Sequence, residues 1–240
     1  MLLDAIVLAG GRSSRLSGVP KSRLLWRGST LLQNTVDAVL DTGARRVVVV
    51  GPGDGPAGGP SGAASTAPDA QASTARVLFA REDPPFGGPA AAVAAGMRAL
   101  SEHEASGVEA VIVLACDMPG IAGAVAALVD VVPMLGVVHI SDDASVSSKQ
   151  GAIMSDSAGM RQPLAAVYRR QALADAVAGL RASGTLDGAS MRSLISSLDL
   201  IELVDSTGST RDVDTWNDAA FFGIEQPQHP QLHDEQRSRA

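Results

Sequence analysis

The chain of 240 residues has one cysteine, Cys116. That excludes an intramolecular disulfide and a thiolate metal cluster. Aromatic residues are scarce, with four Phe, two Trp and one Tyr, so the core must be built from small aliphatic side chains. Positive charge is short as well, 19 Lys and Arg against 26 Asp and Glu, for a formal net charge of −7. A general nucleic-acid binder needs a basic face to neutralise phosphates, and this balance argues against one. It leaves room for a small anionic ligand, because a local basic loop can sit on an acidic surface. No apolar run approaches the roughly 20 residues of a membrane span. The opening "MLLDAIVLAGG" lacks a basic n-region, and Asp4 and Arg12 interrupt its apolar run. It reads as a buried strand, not a signal peptide, and a soluble, cytoplasmic protein is expected. The four histidines are scattered and form no Ser/His/Asp set. His229 and His233 have a metal-like spacing, but they stand in a polar tail and read as incidental.

What is present is a regular alternation. Apolar runs predict strands at Leu3–Ala9, Arg45–Gly51, Ala75–Asp83, Glu109–Asp117, Leu135–Ile140, Arg161–Arg169 and Leu198–Asp205. Between them, apolar residues at helical spacing predict helices at Thr30–Gly43 and Gly88–Ala105, and within "AGAVAALVDVV" and "QALADAVAGLRAS". Strands apolar on both faces and separated by helices imply a mostly parallel sheet covered on both sides. The fold class is therefore α/β: a three-layer αβα, doubly wound, Rossmann-like architecture. Gly51–Thr74 is dense in Gly, Pro, Ser and Ala and reads as a long surface loop; Glu225–Ala240 is polar and without period and reads as a disordered tail.

The first loop, "LAGGRSSRLSGVPKS" (Leu8–Ser22), combines glycine with fixed positive charge at a strand's exit. It is not a Walker loop, because Lys21-Ser22 follows Pro20 rather than a glycine. It is not the dinucleotide fingerprint, because Gly10 and Gly11 are adjacent and the next glycine is Gly18. What remains suits an anion. Gly10 and Gly11 let backbone N–H groups approach without a Cβ in the way. Arg15 offers a two-pronged contact to phosphate oxygens, and Lys21 a compact charge. In open α/β sheets ligands bind at this carboxyl edge.

Asp117 ends another buried strand in "VLACDMP" and opens at the same edge. There it suits Mg²⁺, which takes one or two carboxylates with phosphate oxygens and water, or it caps the helix after Pro119. In "DVDTWND", Asp214 is the second candidate, with Asp212 an equal alternative. Cys116 lies on an apolar strand and reads as a core residue.

These motifs resemble nucleotidyltransferases that activate a phosphorylated acceptor with an NTP, and are most similar to the molybdenum cofactor guanylyltransferase (MobA-type) family. "LAGGRSSRLSGVPK" resembles its signature, "GGPAAAV" its Gly-Pro-Leu-Ala-Gly segment, "LACDMP" its acidic strand end, "RQPLAAVYRR" its Gln-Pro strand and "DVDTWND" its closing motif. They run in family order from Leu8 to about Asp218. The resemblance implies one nucleotidyltransferase domain over residues 1–224. It implies transfer of GMP from GTP to Mo-molybdopterin with release of pyrophosphate, and Mg²⁺ as cofactor. Catalysis would fall to Arg15, Lys21 and Asp117. Leu8, Ala9, Gly10, Gly11, Lys21, Asp83, Gly88 and Asp117 would bind the nucleotide, Asp117 and Asp214 the metal. Arg161, Gln162 and Arg192 are candidates for the acceptor side, with surface roles as their alternative. A molybdoenzyme or cofactor-delivery partner is the implied protein partner. Rival readings are a CTP-dependent molybdopterin cytidylyltransferase, a sugar- or alditol-phosphate nucleotidyltransferase, and a non-catalytic nucleotide-binding adaptor. Four departures stand out: Ser17 and Ala92 where the family has glycine, Gly51-Pro52 where an asparagine commonly follows the second strand, and Trp216 where a proline is common in the last motif.

Overall fold

The structure, a computed structural model, describes residues 2–11, 14–51, 76–102, 107–135, 139–140 and 146–226. Most of the loop expected at 51–74, the end of the helix expected at 88–105, and the tail beyond residue 226 with its two histidines lie outside the described residues.

Seven strands form the main sheet: β1 (Leu2–Leu8), β4 (Val47–Val50), β5 (Val77–Ala80), β6 (Val108–Ala115), β9 (Gly151–Ser155), β10 (Arg161–Arg169) and β11 (Leu200–Val204). Their order is β11-β9-β10-β6-β1-β4-β5. All run parallel except β10, which is antiparallel to both neighbours. Two small ribbons stand apart, β2 (Leu25–Trp26) with β3 (Ser29–Thr30) and β7 (His139–Ile140) with β8 (Val146–Ser147). The helices are α1 (Leu31–Leu40), α2 (Gly88–Glu102), α3 (Ile121–Asp130), α4 (Arg170–Ala182), α5 (Met191–Leu194) and α6 (Trp216–Phe221).

The central strands β1, β4 and β6 are buried on both faces over most of their length, as their predominantly apolar sequences require. One apolar layer packs alternate strand residues such as Val7, Val49 and Ile112 with Val36 of α1 and Leu128 of α3. The opposite layer packs Ile6, Val48 and Val113 with Val93 and Leu100 of α2 and Leu173 of α4. This is the expected three-layer α/β fold. Thr30 starts α1 by accepting from the Gln33 N–H at 3.0 Å.

One expected strand is corrected. Of Leu135–Ile140, residues 136–138 lie outside the described residues, and His139–Ile140 belongs to a ribbon off the sheet. The sheet's place beside β10 is taken by β9, "GAIMS", buried at every position. Its glycine is required there: a Cβ on Gly151 would lie 2.5 Å from the Val167 carbonyl oxygen. Glycine, alanine and serine give that strand little β-branched signal, which is why the pattern misses it.

A third, smaller apolar cluster sets the site. Leu16 from the first loop, Leu24 just after it, Leu31 of α1, and Val213, Ala219 and Ile224 from around α6 pack together, with Trp216 against them. The basic loop and the late aspartates are thereby held on one base.

Candidate active site

β1 and β6 are adjacent and in register, Leu8 beside Ala115, so the chain leaves both strands at one sheet edge. After β1 comes the glycine pair. Gly11 has φ +142 and only open space where a Cβ would stand. After β6 comes Asp117. A cleft of about 860 Å³ runs along this edge, lined among others by Gly10, Gly11, Lys21, Glu82, Gly88 and Asp117. That is a volume suited to a small-molecule ligand.

Lys21 is the hub. Its Nζ donates to Asp117 Oδ2 at 2.7 Å and pairs with Asp214 Oδ1. Arg15 reaches Asp214 Oδ2 at 3.7 Å. Burial pulls the Lys21 pKa down, but Asp117 and Asp214 outweigh it and hold the ammonium above its ordinary value. Asp117, Asp212 and Asp214 bring carboxylate oxygens within 4.8 Å of one another. Desolvation, then the charges of Asp117 and Asp214, raise the Asp212 pKa. Three crowded carboxylates are a hard, oxygen-only donor set of the kind Mg²⁺ accepts.

The pairing of Asp212 with Asp214 has a backbone cause. Burial alternates along the segment, exposed at Asp212, buried at Val213 and half-buried at Asp214, so the two aspartates lie on one side of it. Val213 between them is fully buried, and its N–H donates to the Asp117 carbonyl at 2.9 Å. The i, i+2 spacing around an apolar residue is the signal that brings in Asp212 as well as Asp214.

Other candidates separate. Leu8, Ala9 and Gly88 line the cleft, but its acidic residue on this side is Glu82, while Asp83 is exposed and outside the lining. Glu82 Oε1 accepts from the Phe86 N–H at 3.3 Å. Gly88 has φ +88 and sits 3.2 Å, measured from a would-be Cβ, from the Ala189 carbonyl oxygen; its conformation and packing both need glycine. Phe79 and Phe86, more than half exposed, also line the cleft, though nothing in their spacing announces it. Arg161 donates from Nε to Glu202 Oε1 at 2.8 Å on the exposed edge, and Arg192 is exposed on α5; neither lines the cleft. Gln162 lies three residues before Ala165, which pairs with Leu114, as Asp117 lies three residues after it, so both leave the sheet at one edge. Cys116 is buried, and burial, then Asp117, push its thiol up to about 12; it is no nucleophile.

Two departures find explanations. A Cβ on Gly51 would sit 3.0 Å from the Ala9 carbonyl carbon, because Ala9 donates back to Val50 at 2.8 Å; a side chain at that corner would crowd the Ala9 backbone. Ser17 and Gly18 both hold positive φ, +54 and +79. The turn thus uses two left-handed residues, one of which is a serine.

Comparison with known proteins decides the family. Residues 5–201 match the MobA-like NTP transferase domain. The chain belongs to that family. It is 33% identical over 181 residues, 75% of this chain and 72% of the other, to a probable molybdenum cofactor guanylyltransferase of Opitutus terrae. Among solved structures, it is similar to molybdopterin-guanine dinucleotide biosynthesis protein A of Archaeoglobus fulgidus, with a TM-score of 0.57 and 16% identity over 91% of this chain and 96% of that one. A similar fold is found in 2-C-methyl-D-erythritol 4-phosphate cytidylyltransferase of Thermus thermophilus, with a TM-score of 0.56 and 18% identity over 93% and 100%. The family match ends at Ile201, before Asp212 and Asp214. Their membership of the site rests on the geometry around Lys21. Among the described residues, no helix is long and apolar enough to cross a membrane.

Proposed function

We propose that this MobA-like nucleotidyltransferase transfers GMP from GTP to the terminal phosphate of molybdopterin, giving the guanine dinucleotide and pyrophosphate. The observation that carries the reaction class is Lys21 bridging Asp117 and Asp214 beside the open backbone of Gly10 and Gly11. The name of the Opitutus terrae relative supports the choice of base and acceptor.

The chain's own residues account for the chemistry. Backbone N–H groups of Gly10 and Gly11, with Arg15, cradle the triphosphate. Leu8, Ala9, Glu82 or Asp83, and Gly88 border the nucleoside. Asp117 and Asp214, with Asp212 beside them, would hold Mg²⁺, which when bound screens phosphate charge. Lys21 neutralises charge that builds on the phosphates during transfer. The acceptor is a phosphate monoester whose second pKa is near ~6, so it is already an anion and needs no base. Its oxygen bonds to the α-phosphorus in line, the bond to the β-phosphate oxygen breaks, and pyrophosphate leaves with the electron pair. We place the acceptor on the β10 side, with Arg161, Gln162 and Arg192 as candidate contacts. Positioning and electrostatics supply the rate, and no nucleophilic side chain is required.

The test is pyrophosphate release with each NTP in turn, Mg²⁺, and molybdopterin or sugar and alditol phosphates as acceptors. Release with GTP and molybdopterin alone is expected. Release with CTP instead overturns the base assignment, release with a sugar phosphate overturns the acceptor, and nucleotide binding without release makes the chain an adaptor.

A further inference from the structure

The site depends on two carboxylates that arrive from the far side of the sheet. β11 is three places from β6 in the strand order, roughly 14 Å at the spacing of neighbouring strands. The segment 205–214 must bridge that gap and deliver Asp212 and Asp214 to Asp117.

Its start is tied by one buried side chain. The Asp205 N–H donates to the Ser155 carbonyl at 2.7 Å, extending the β11–β9 pairing by a residue. Asp205 is 5% exposed, and its carboxylate accepts four hydrogen bonds. Oδ1 takes the Thr207 N–H at 3.0 Å and hydroxyl at 2.8 Å; Oδ2 takes the Thr210 N–H at 2.7 Å and hydroxyl at 2.9 Å. Burial works against its charge, yet the bonds from Thr210 and Thr207 outweigh that and hold the pKa below the usual carboxylate range. The loop so closed seats Ser209 in a notch at the start of α3. A Cβ on Gly120 would lie 3.1 Å from Ser209 Cα, and one on Gly123 3.3 Å from Ser209 Cβ. From there the chain runs two residues past Thr210 to Asp212, and the buried Val213 fixes the rest.

We infer that Asp205, with Thr207 and Thr210, is the positioning anchor that aims Asp212 and Asp214 at Asp117. The inference rests on the reading of that trio as a divalent-cation site. Asp205 itself touches neither phosphate nor metal. It acts by closing the 205–210 loop into one conformation, so that the two aspartates need not be ordered by the cation itself.

The test is Mn²⁺ binding to the full chain by calorimetry, with and without GTP, below the melting temperature of each variant. Asp205→Asn keeps the shape but loses one carboxylate oxygen as acceptor. Thr210→Val removes one hydroxyl, and Thr210→Ser restores it. Mn²⁺ affinity is expected to fall at least tenfold in Asp205→Asn and several-fold in Thr210→Val, and to return in Thr210→Ser. GTP affinity in EDTA, which depends on the first loop, is expected to stay within twofold. A destabilised core variant, Leu194→Ala, serves as control and is expected to keep wild-type Mn²⁺ affinity; if it loses affinity as the anchor variants do, the effect is general instability and the inference falls. Unchanged Mn²⁺ affinity in folded Asp205→Asn overturns it too, and if that variant does not fold, unchanged affinity in Thr210→Val does the same. If the wild-type chain binds no Mn²⁺ even with GTP, the metal-site reading fails, and this inference with it.

Discussion

Replacing Lys21 by methionine should change metal binding and turnover in opposite directions. The Lys21 ammonium lies 2.7 Å from Asp117 Oδ2 and also on Asp214 Oδ1. Two unit charges 4 Å apart interact by about 4 kcal/mol at an effective dielectric of 20. Lys21 and Asp117 side chains are 22% and 18% exposed, but Asp214 is 44% exposed, so water screens the second contact. After the desolvation cost, about 2 kcal/mol of net attraction between Lys21 and the trio is reasonable. A divalent cation entering without nucleotide has to displace that ammonium. Lys21→Met removes the competitor, so Mn²⁺ affinity of the nucleotide-free chain should rise about 30-fold, at 1.4 kcal/mol for each factor of ten. Metal-free stability should fall by about 2 kcal/mol, because three carboxylates then repel unscreened, and added Mn²⁺ should restore it. Pyrophosphate release should drop about 10²–10³-fold or more, the cost of losing one preorganised charge at a developing anion. Calorimetry, thermal melts with and without Mn²⁺, and turnover measure these three. Unchanged or weaker Mn²⁺ binding in the variant would refute the competition, and near-wild-type turnover would refute the catalytic role.

Further expectations concern other parts of the chain. Phe79→Ala and Phe86→Ala should each weaken GTP binding about tenfold if the rings stack on the base, while inorganic tripolyphosphate, which has no base, should bind as in wild type; equal losses for both ligands would exclude stacking. Ser17→Gly should relieve a left-handed serine and stabilise by up to about 1 kcal/mol, read as a rise of a few degrees in Tm with turnover unchanged; a fall in Tm would mean the serine is needed. Asp205 has a folded pKa below its ordinary value, so its stabilisation is complete above about pH 4 and is lost as pH falls towards the folded pKa. Asp205→Asn should therefore flatten the acid limb of the stability curve below about pH 4, and an unaltered limb would place the titration elsewhere. Leu16→Ala, at a fully buried position, should cost about 2–5 kcal/mol and weaken Mn²⁺ and GTP binding together, because one cluster carries both halves of the site.

The parts of this molecule that sequence discloses are those with a strong local signal. Aliphatic-rich runs mark β1, β4 and β6, and the α/β class comes from their alternation with helices. Asp117 is legible because it lies just beyond such a strand, and Lys21 because it shares the glycine-led basic loop that follows β1. β9 escapes because Gly151 answers to the Val167 backbone rather than to strand propensity. Arg161 shows a different limit. Its motif suggests the acceptor, but Glu202 on β11 occupies it, and a partner two strands away has no local trace. Asp83 and Glu82 are adjacent acids, and only the loop's path decides which one faces the cleft.

The long-range half of the site obeys a different logic. Lys21 and Asp214 are 193 residues apart, and no motif specifies their meeting. What specifies it is apolar: Leu16 and Leu24 on one side, Val213, Ala219 and Ile224 on the other. Like charges such as Asp117, Asp212 and Asp214 repel, so they cannot assemble themselves. Burial of these neighbouring aliphatic side chains, each Leu, Val or Ile contributing about 1.5–3 kcal/mol, supplies the force that holds them together. Lys21 then offsets part of the repulsion until a cation and a nucleotide arrive. The charged residues of this site carry its chemistry, while their placement is the work of the apolar residues between them.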